Sequence, residues 1–251
     1  MCRFCLGEYD NDVRELYVNC LTLTSLPALP DGLRTLHCSS CISLTSLPAL
    51  PDSLQQLICY NCQALTSLPT LPDGLRILQC GCCPELTSLP ALPDSLRELQ
   101  CNSCPVTSLP ALPDALQELI CYNCSALTVL PALPDGLREL ECGSCPVLTS
   151  LPALPDGLQV LILNKCPLTS LPAVPESLQY LNCNHCPSLM EFPTNRFPIP
   201  DGSPFLFREN RLKALFIKDW IRYRNRIRTA NRKRLLSRVV CSDVTGLILR
   251  Y

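Results

Sequence analysis

The chain has 251 residues, 47% of them hydrophobic, with 25 prolines and 20 cysteines but only 9 glycines. There is ample apolar material for a core, in proportions that ordinary α/β enzymes do not show. The net charge of -1 conceals two opposed parts: residues 1–207 hold 8 basic and 19 acidic side chains, residues 208–251 hold 13 and 3. No run of about 18 apolar residues is available to span a bilayer.

The first segment, residues 1–12, reads MCRFCLGEYDND. It has no apolar stretch behind a basic start, so it does not read as a secretory signal, and an intracellular, cytoplasmic location is expected. In a reducing compartment the cysteines would remain thiols or bind metal. Cys2 and Cys5 have metal-knuckle spacing, but a cross-braced zinc site needs further Cys and His ligands and the chain has two histidines, His37 and His185. An N-terminal cap is the expected role.

Residues 13–191 are periodic. Units begin at Val13, Leu33, Leu54, Leu75, Leu96, Leu116, Leu137, Leu158 and Leu178, a period of 20 or 21 residues repeated nine times. A period in this range is the signature of leucine-rich repeats, in which each unit is one coil of a solenoid. In the unit 54–74, Leu57 and Cys59 alternate with outward positions as in a short strand. Two prolines per unit, such as Pro69 and Pro72, remove backbone donors and forbid both helix and central strand, leaving an extended, polyproline-like return. Leu65, Leu68 and Leu71 in that return need burial, and Asp-Gly or Asp-Ser supplies the turn into the next strand. The expected fold is a leucine-rich-repeat solenoid with parallel strands on a concave face and a C-terminal helix beyond it.

The LPALPDGL segments resemble the short repeats of leucine-rich effector proteins injected by Gram-negative pathogens. The cysteine-rich form LICYNCQALTSLP is similar to repeat proteins of giant DNA viruses. The resemblance covers about residues 13–190 and implies the fold. Effectors that ligate ubiquitin carry a large catalytic domain after their repeats, whereas about sixty residues follow here, so the resemblance does not bring that activity with it.

Fifteen cysteines fall at the sixth and ninth positions of the units. Pairs of Cys-x-x-Cys about 20 residues apart would suit tetrahedral zinc. The sixth position is also filled by Val18 and Leu163, which cannot ligate metal, so a ladder of buried thiols acting as small core residues is the favoured alternative. No metal or cofactor is expected. Neither a nucleophile with a base in reach nor a Gly-rich phosphate loop can be assembled, so no catalytic residues are expected. Asp31, Asp52, Asp73, Asp94, Asp114, Asp135 and Asp156 read as turn caps.

The outward strand positions should present Tyr17, His37, Ile58, Gln79, Gln100, Ile120, Glu141 and Ile162 in one column, with Tyr60 and Tyr122 in another. Exposed apolar and aromatic groups bordered by polar ones are what protein-binding patches contain, which makes a protein the expected partner. Residues 192–208 read as a Pro-rich connector and residues 209–251 as a basic helical segment. There Leu212, Phe216, Trp220, Tyr223, Ile227 and Ala230 form an apolar stripe opposite Arg222, Arg224, Arg228 and Arg232. That segment either caps the last coil or contacts a nucleic acid, an anionic surface or another protein. The reading as a whole is a non-catalytic protein-interaction scaffold, a viral or pathogen factor acting in a host cell, with a nucleic-acid or virion-associated protein as its alternative.

Overall fold

The computed structural model describes residues 12–183 and 185–189. Residues 1–11 of the expected N-terminal cap, with Cys2 and Cys5, the connector and the basic helical segment lie outside the described residues. Nine short strands run through the described part: β1 (Glu15–Val18), β2 (Thr35–Ser39), β3 (Gln56–Tyr60), β4 (Ile77–Gln79), β5 (Glu98–Gln100), β6 (Glu118–Ile120), β7 (Glu139–Glu141), β8 (Val160–Ile162) and β9 (Tyr180–Asn182). They form one parallel sheet in chain order, each strand paired only with its sequence neighbours. The register repeats from coil to coil, with Leu36 against Leu57, Leu57 against Leu78, Leu78 against Leu99 and so on. Units and strands therefore coincide one to one.

The ladder runs past the strand ends. At the entry, one carbonyl accepts two donors from the next coil, as Arg34 does from the N–H groups of Gln55 at 2.8 Å and Gln56 at 3.0 Å. At the exit, the eighth residue donates across to the next coil, as Ser40 does to the Tyr60 carbonyl at 2.8 Å and Ser103 to the Tyr122 carbonyl at 2.8 Å. Among the described residues the return has no helix, and an isolated inter-coil bridge outside the named strands joins Ser25 with Ser46. This is the outcome that two prolines per coil dictate.

The core is four largely leucine columns together with the two cysteine columns at the sixth and ninth positions. Leucines at the first, fourth and twelfth positions, such as Leu54, Leu57 and Leu65, are fully buried, and the fifteenth, such as Leu68, nearly so. Each buried leucine contributes roughly 1.5–3 kcal/mol, and no coil could bury them alone. One expectation needs correction. Leu71 is only half-buried, as are Leu29, Leu92, Leu112, Leu133 and Leu154, while the proline that follows, such as Pro72, is buried. The reason lies in the turn, where the Pro72 carbonyl accepts the Leu75 N–H at 3.0 Å and the Pro93 carbonyl accepts that of Leu96 at 3.0 Å. Closing the turn on the proline draws its ring inward and tips the preceding leucine to the rim. The closing bond belongs to the backbone, so the aspartates are turn residues without being the caps expected of them.

The twenty-residue units lose their residue in the loop after the ninth position. Val106 and Leu168 then fill the place that Leu65 and Leu86 fill elsewhere, all fully buried.

The strand exit is conformationally strained in every coil from the second onward. The eighth residue has positive φ at Ser40, Asn61, Cys82, Ser103, Asn123, Ser144, Lys165 and His185, with values of 54° to 62°. None is a glycine. A non-glycine residue held there costs roughly 1–2 kcal/mol. Lys165 is exposed, so Lys165→Gly removes the Cβ clash without removing core contacts. It should raise the unfolding free energy by about 0.5–1 kcal/mol, read as a higher urea midpoint at unchanged slope. A lower midpoint would mean that the lysine stem contributes more than the strain costs.

Candidate functional site

Two surfaces of the coil stack carry chemistry: the interior thiols and the outward face of the sheet. The interior is considered first. Thiols at the sixth and ninth positions from Cys38 to Cys166 are buried and unpaired by disulfides. Each ninth-position thiol donates to the carbonyl of the sixth residue in the preceding coil. Cys62 reaches Cys38 at 3.3 Å, Cys104 reaches Cys80 at 2.8 Å, Cys124 reaches Cys101 at 3.1 Å, and Cys166 reaches Cys142 at 2.9 Å. The carbonyl so bonded sits where the chain leaves the sheet ladder, a place at which an unpaired buried acceptor would be costly.

Burial and neighbouring thiols hold several of these groups protonated. A hydrogen bond with the Cys104 thiol pushes Cys83 up to about 12, and burial pushes Cys183 up to about 12. Cys80 is raised well above the ordinary thiol value by burial, and Cys121 by its bond with Cys142. A thiol held protonated is a poor nucleophile and a poor metal ligand. Among the described residues no group of three or more His, Cys, Asp or Glu side chains is arranged to hold a metal ion.

The outward face is built by the third, fifth and seventh residues of each coil. The fifth-position column stands as the strand alternation requires, running from Tyr17 and His37 through Ile58, Gln79, Gln100, Ile120 and Glu141 to Ile162 in register. Its exposure is uneven. Tyr17 is 58% exposed, whereas Ile120 is 4% exposed and does not present the apolar surface expected of it. Ile120 stands between the longer side chains of Gln100 and Glu141 on the adjoining strands. Ile58 and Ile162 are half-buried, as are His37, Gln79, Gln100 and Glu141.

At the β1 end, the Tyr17 and His37 rings lie 5.5 Å apart at 54°, a tilted pair of the kind aromatic rings favour. Tyr17 donates its hydroxyl to Glu15 at 3.1 Å, and His37 Nε2 shares a 2.5 Å hydrogen bond with the Ser39 hydroxyl. Burial lowers the His37 pKa from its ordinary value, so the ring is neutral at physiological pH.

Sequence reasoning missed the third-position column. It brings Glu98, Glu118 and Glu139 into register on β5, β6 and β7, with Glu141 two residues further along β7. Glu98 is 7% exposed. It accepts Gln79 Nε2 at 2.6 Å and Gln100 Nε2 at 2.9 Å, and Gln100 also reaches Glu118 at 3.3 Å. The signal was available, since the third position points the same way as the fifth. Tyr60 and Tyr122 stand at the seventh position. Cys82 Sγ donates to the Tyr60 hydroxyl at 3.3 Å, and Ser144 Oγ donates to the Tyr122 hydroxyl at 3.0 Å. Tyr122 is 38% exposed. Arg222, Arg224, Arg228 and Arg232 lie outside the described residues.

Neither a protein-family model nor a curated protein matches the sequence. Among solved structures, YopM from Yersinia enterocolitica WA-314 is 33% identical over 72% of this chain and 44% of YopM, with a TM-score of 0.50. The fold is a leucine-rich-repeat solenoid. A second leucine-rich-repeat structure, YopM from Yersinia pestis, described as a leucine-rich effector protein, is 28% identical over 64% of this chain and 63% of its own, with a TM-score of 0.40. A leucine-rich-repeat protein from Bacteroides ovatus ATCC 8483 is 21% identical over 64% of this chain and 43% of its own, at a TM-score of 0.44. The chain thus spans less than two thirds of the length of each of these leucine-rich-repeat proteins. Among the described residues no helix is long and apolar enough to cross a membrane.

Proposed function

We propose that the chain is a non-catalytic scaffold that binds another protein on the open strand face, acting as a pathogen or viral factor inside a host cell. The observation that carries the binding role is the face itself. Nine in-register strands expose three parallel columns of side chains, and no other described element packs over them. Aromatic side chains at Tyr17 and Tyr122 stand exposed among carboxylates and amides, the mixture that partner surfaces concentrate. The likeness to YopM supports the effector-like setting, and the protonated, buried thiols support the non-catalytic reading.

The test is capture from host-cell lysate by the full chain, compared with a variant carrying Tyr60→Ala and Tyr122→Ala together. A specific protein partner should be captured by the native chain and lost, by about tenfold or more, with the double variant. Retention of the same partner by every strand-face variant would remove this face as the binding surface.

A further inference from the structure

The order of residues in the seventh-position column carries information beyond the single coil. From β3 onward it reads Tyr60, Gly81, Asn102, then Tyr122, Gly143, Asn164. The units that contain them have lengths of 21, 21 and 20 residues, followed by 21, 21 and 20 again. Residues 54–115 and 116–177 are identical at 44 of 62 positions. The solenoid therefore contains a three-coil block, present twice.

The two copies have not diverged evenly. Five of the outward strand positions differ: Gln56 against Glu118, Ile77 against Glu139, Gln79 against Glu141, Glu98 against Val160, and Gln100 against Ile162. The tyrosine, glycine and asparagine are retained. The geometry gives that retention a meaning. A Cβ at Gly81 would stand 3.1 Å from the Tyr60 ring, so the glycine is what allows the ring to lie over the next coil. Each tyrosine hydroxyl is then tied to the eighth residue of that coil, Cys82 or Ser144. The two rings thus stand at corresponding positions of the two blocks, three coils apart, which is roughly 14 Å at the usual strand spacing; in the second block the atoms nearest a Cβ at Gly143 are those of Asn164.

Charge selects the kind of partner. The third, fifth and seventh positions of the nine coils carry Glu15, Glu98, Glu118, Glu139 and Glu141 and not one lysine or arginine. Four of the five carboxylates lie on β5 to β7, the stretch around the junction of the two blocks. We propose that Tyr60 and Tyr122 are equivalent contact points for one basic polypeptide segment running along the stacking direction across this acidic face. Cations on such a segment are attracted to the tyrosine faces and to the carboxylates of β5 to β7 beside them. In an extended segment two cations about four residues apart match the separation of the rings. This inference rests on the scaffold reading and adds the class of partner and its spacing.

The experiment measures binding of labelled synthetic peptides to the full chain by fluorescence anisotropy in low salt. One peptide carries two arginines four residues apart in an otherwise Gly/Ser sequence, a second carries them adjacent, and a third has glutamates in their place. The first peptide should bind several-fold more tightly than the second, and the third should not bind. Tyr60→Leu and Tyr122→Leu should each weaken the first peptide by a similar factor of about three to five, while Tyr60→Phe and Tyr122→Phe, which keep the ring, retain most of the affinity. Glu118→Gln with Glu139→Gln should weaken it further and flatten its salt dependence. No binding of the first peptide, no preference for the four-residue spacing, or a loss at only one of the two tyrosines overturns the proposal. Capture of an acidic protein partner through Tyr60 and Tyr122 would also overturn it while leaving the scaffold reading intact.

Discussion

Raising the pH above about 9 should unfold this solenoid steeply, in a range where most domains of its size are only mildly perturbed. The cause is the thiol interior. In the unfolded chain a cysteine loses its proton near pH 8.5. In the folded chain the hydrogen bond with Cys104 together with burial pushes Cys83 up to about 12, and burial pushes Cys183 up to about 12. Cys62 and Cys101 are likewise pushed up to about 12; for each the largest single influence, a hydrogen bond with a neighbouring thiol, acts downward and is outweighed by burial and the surrounding thiols taken together. A folded pKa above the unfolded one means that the folded state holds protons the unfolded state releases. The stabilisation is fully present below the unfolded value and drains away as the pH climbs toward the folded one. Each such thiol removes about 1.4 kcal/mol per pH unit in that window. Four of them remove about 5 kcal/mol per unit, as much as the whole stability of many domains. Circular dichroism across pH 8 to 11 in the presence of reductant should show cooperative loss of structure within about two units. Cys101→Val, which costs about 1–2 kcal/mol at neutral pH through altered packing, should make that alkaline loss shallower by removing one titrating group. A stability that stays level to about pH 11 would show that the interior tolerates thiolates.

The strand positions were legible because they follow from two elementary periodicities. Alternation places Leu57 and Cys59 inward and Ile58 outward, and the 20 or 21-residue spacing stacks equivalent residues in register. The return was legible because Pro69 and Pro72 leave nothing but extended chain. The strand exit was not. Its positive φ falls on Ser40, Cys82, Lys165 and His185 as readily as on Asn61 and Asn123, and a left-handed position without glycine leaves no compositional mark. The geometry is imposed from outside, because the ladder on either side fixes the backbone at both ends of the turn.

The candidate surface was legible by halves. The fifth-position column and the two tyrosines could be read from alternation, but exposure depends on the lengths of neighbours on adjacent strands, and so Ile120 is covered between Gln100 and Glu141. The role of the ninth-position cysteine as a small buried group was accessible from its type. Its hydrogen bond to the carbonyl at the end of the sheet ladder, as from Cys104 to Cys80, was not, because that partner lies 24 residues away in sequence and only the stacking of coils brings it near. The three-coil block was hidden by the stronger single-coil period.

Leu99→Ala should be the most damaging conservative truncation in the middle of the stack, lowering the unfolding free energy by about 3–4 kcal/mol. Leu99 is fully buried on β5 and pairs in register with Leu78 on one side and Leu119 on the other. The cavity it leaves borders two coil interfaces at once. In a stack where each strand pairs only with its sequence neighbours, stability is approximately a sum of coil terms and nearest-neighbour interface terms. Losing part of two adjacent interfaces weakens the coupling that holds β1 to β4 to β6 to β9. The equivalent Leu181→Ala on β9 should cost about half as much, because among the described strands β9 has one partner, β8. The two variants should also differ in kind. Hydrogen exchange on Leu99→Ala should accelerate in the coils on both sides of β5, whereas on Leu181→Ala it should accelerate in β8 and β9 with the amides of β1 to β6 unchanged. Equal costs and uniform exchange in the two variants would mean that the nine coils unfold as one unit, with interfaces strong enough to make position along the stack irrelevant.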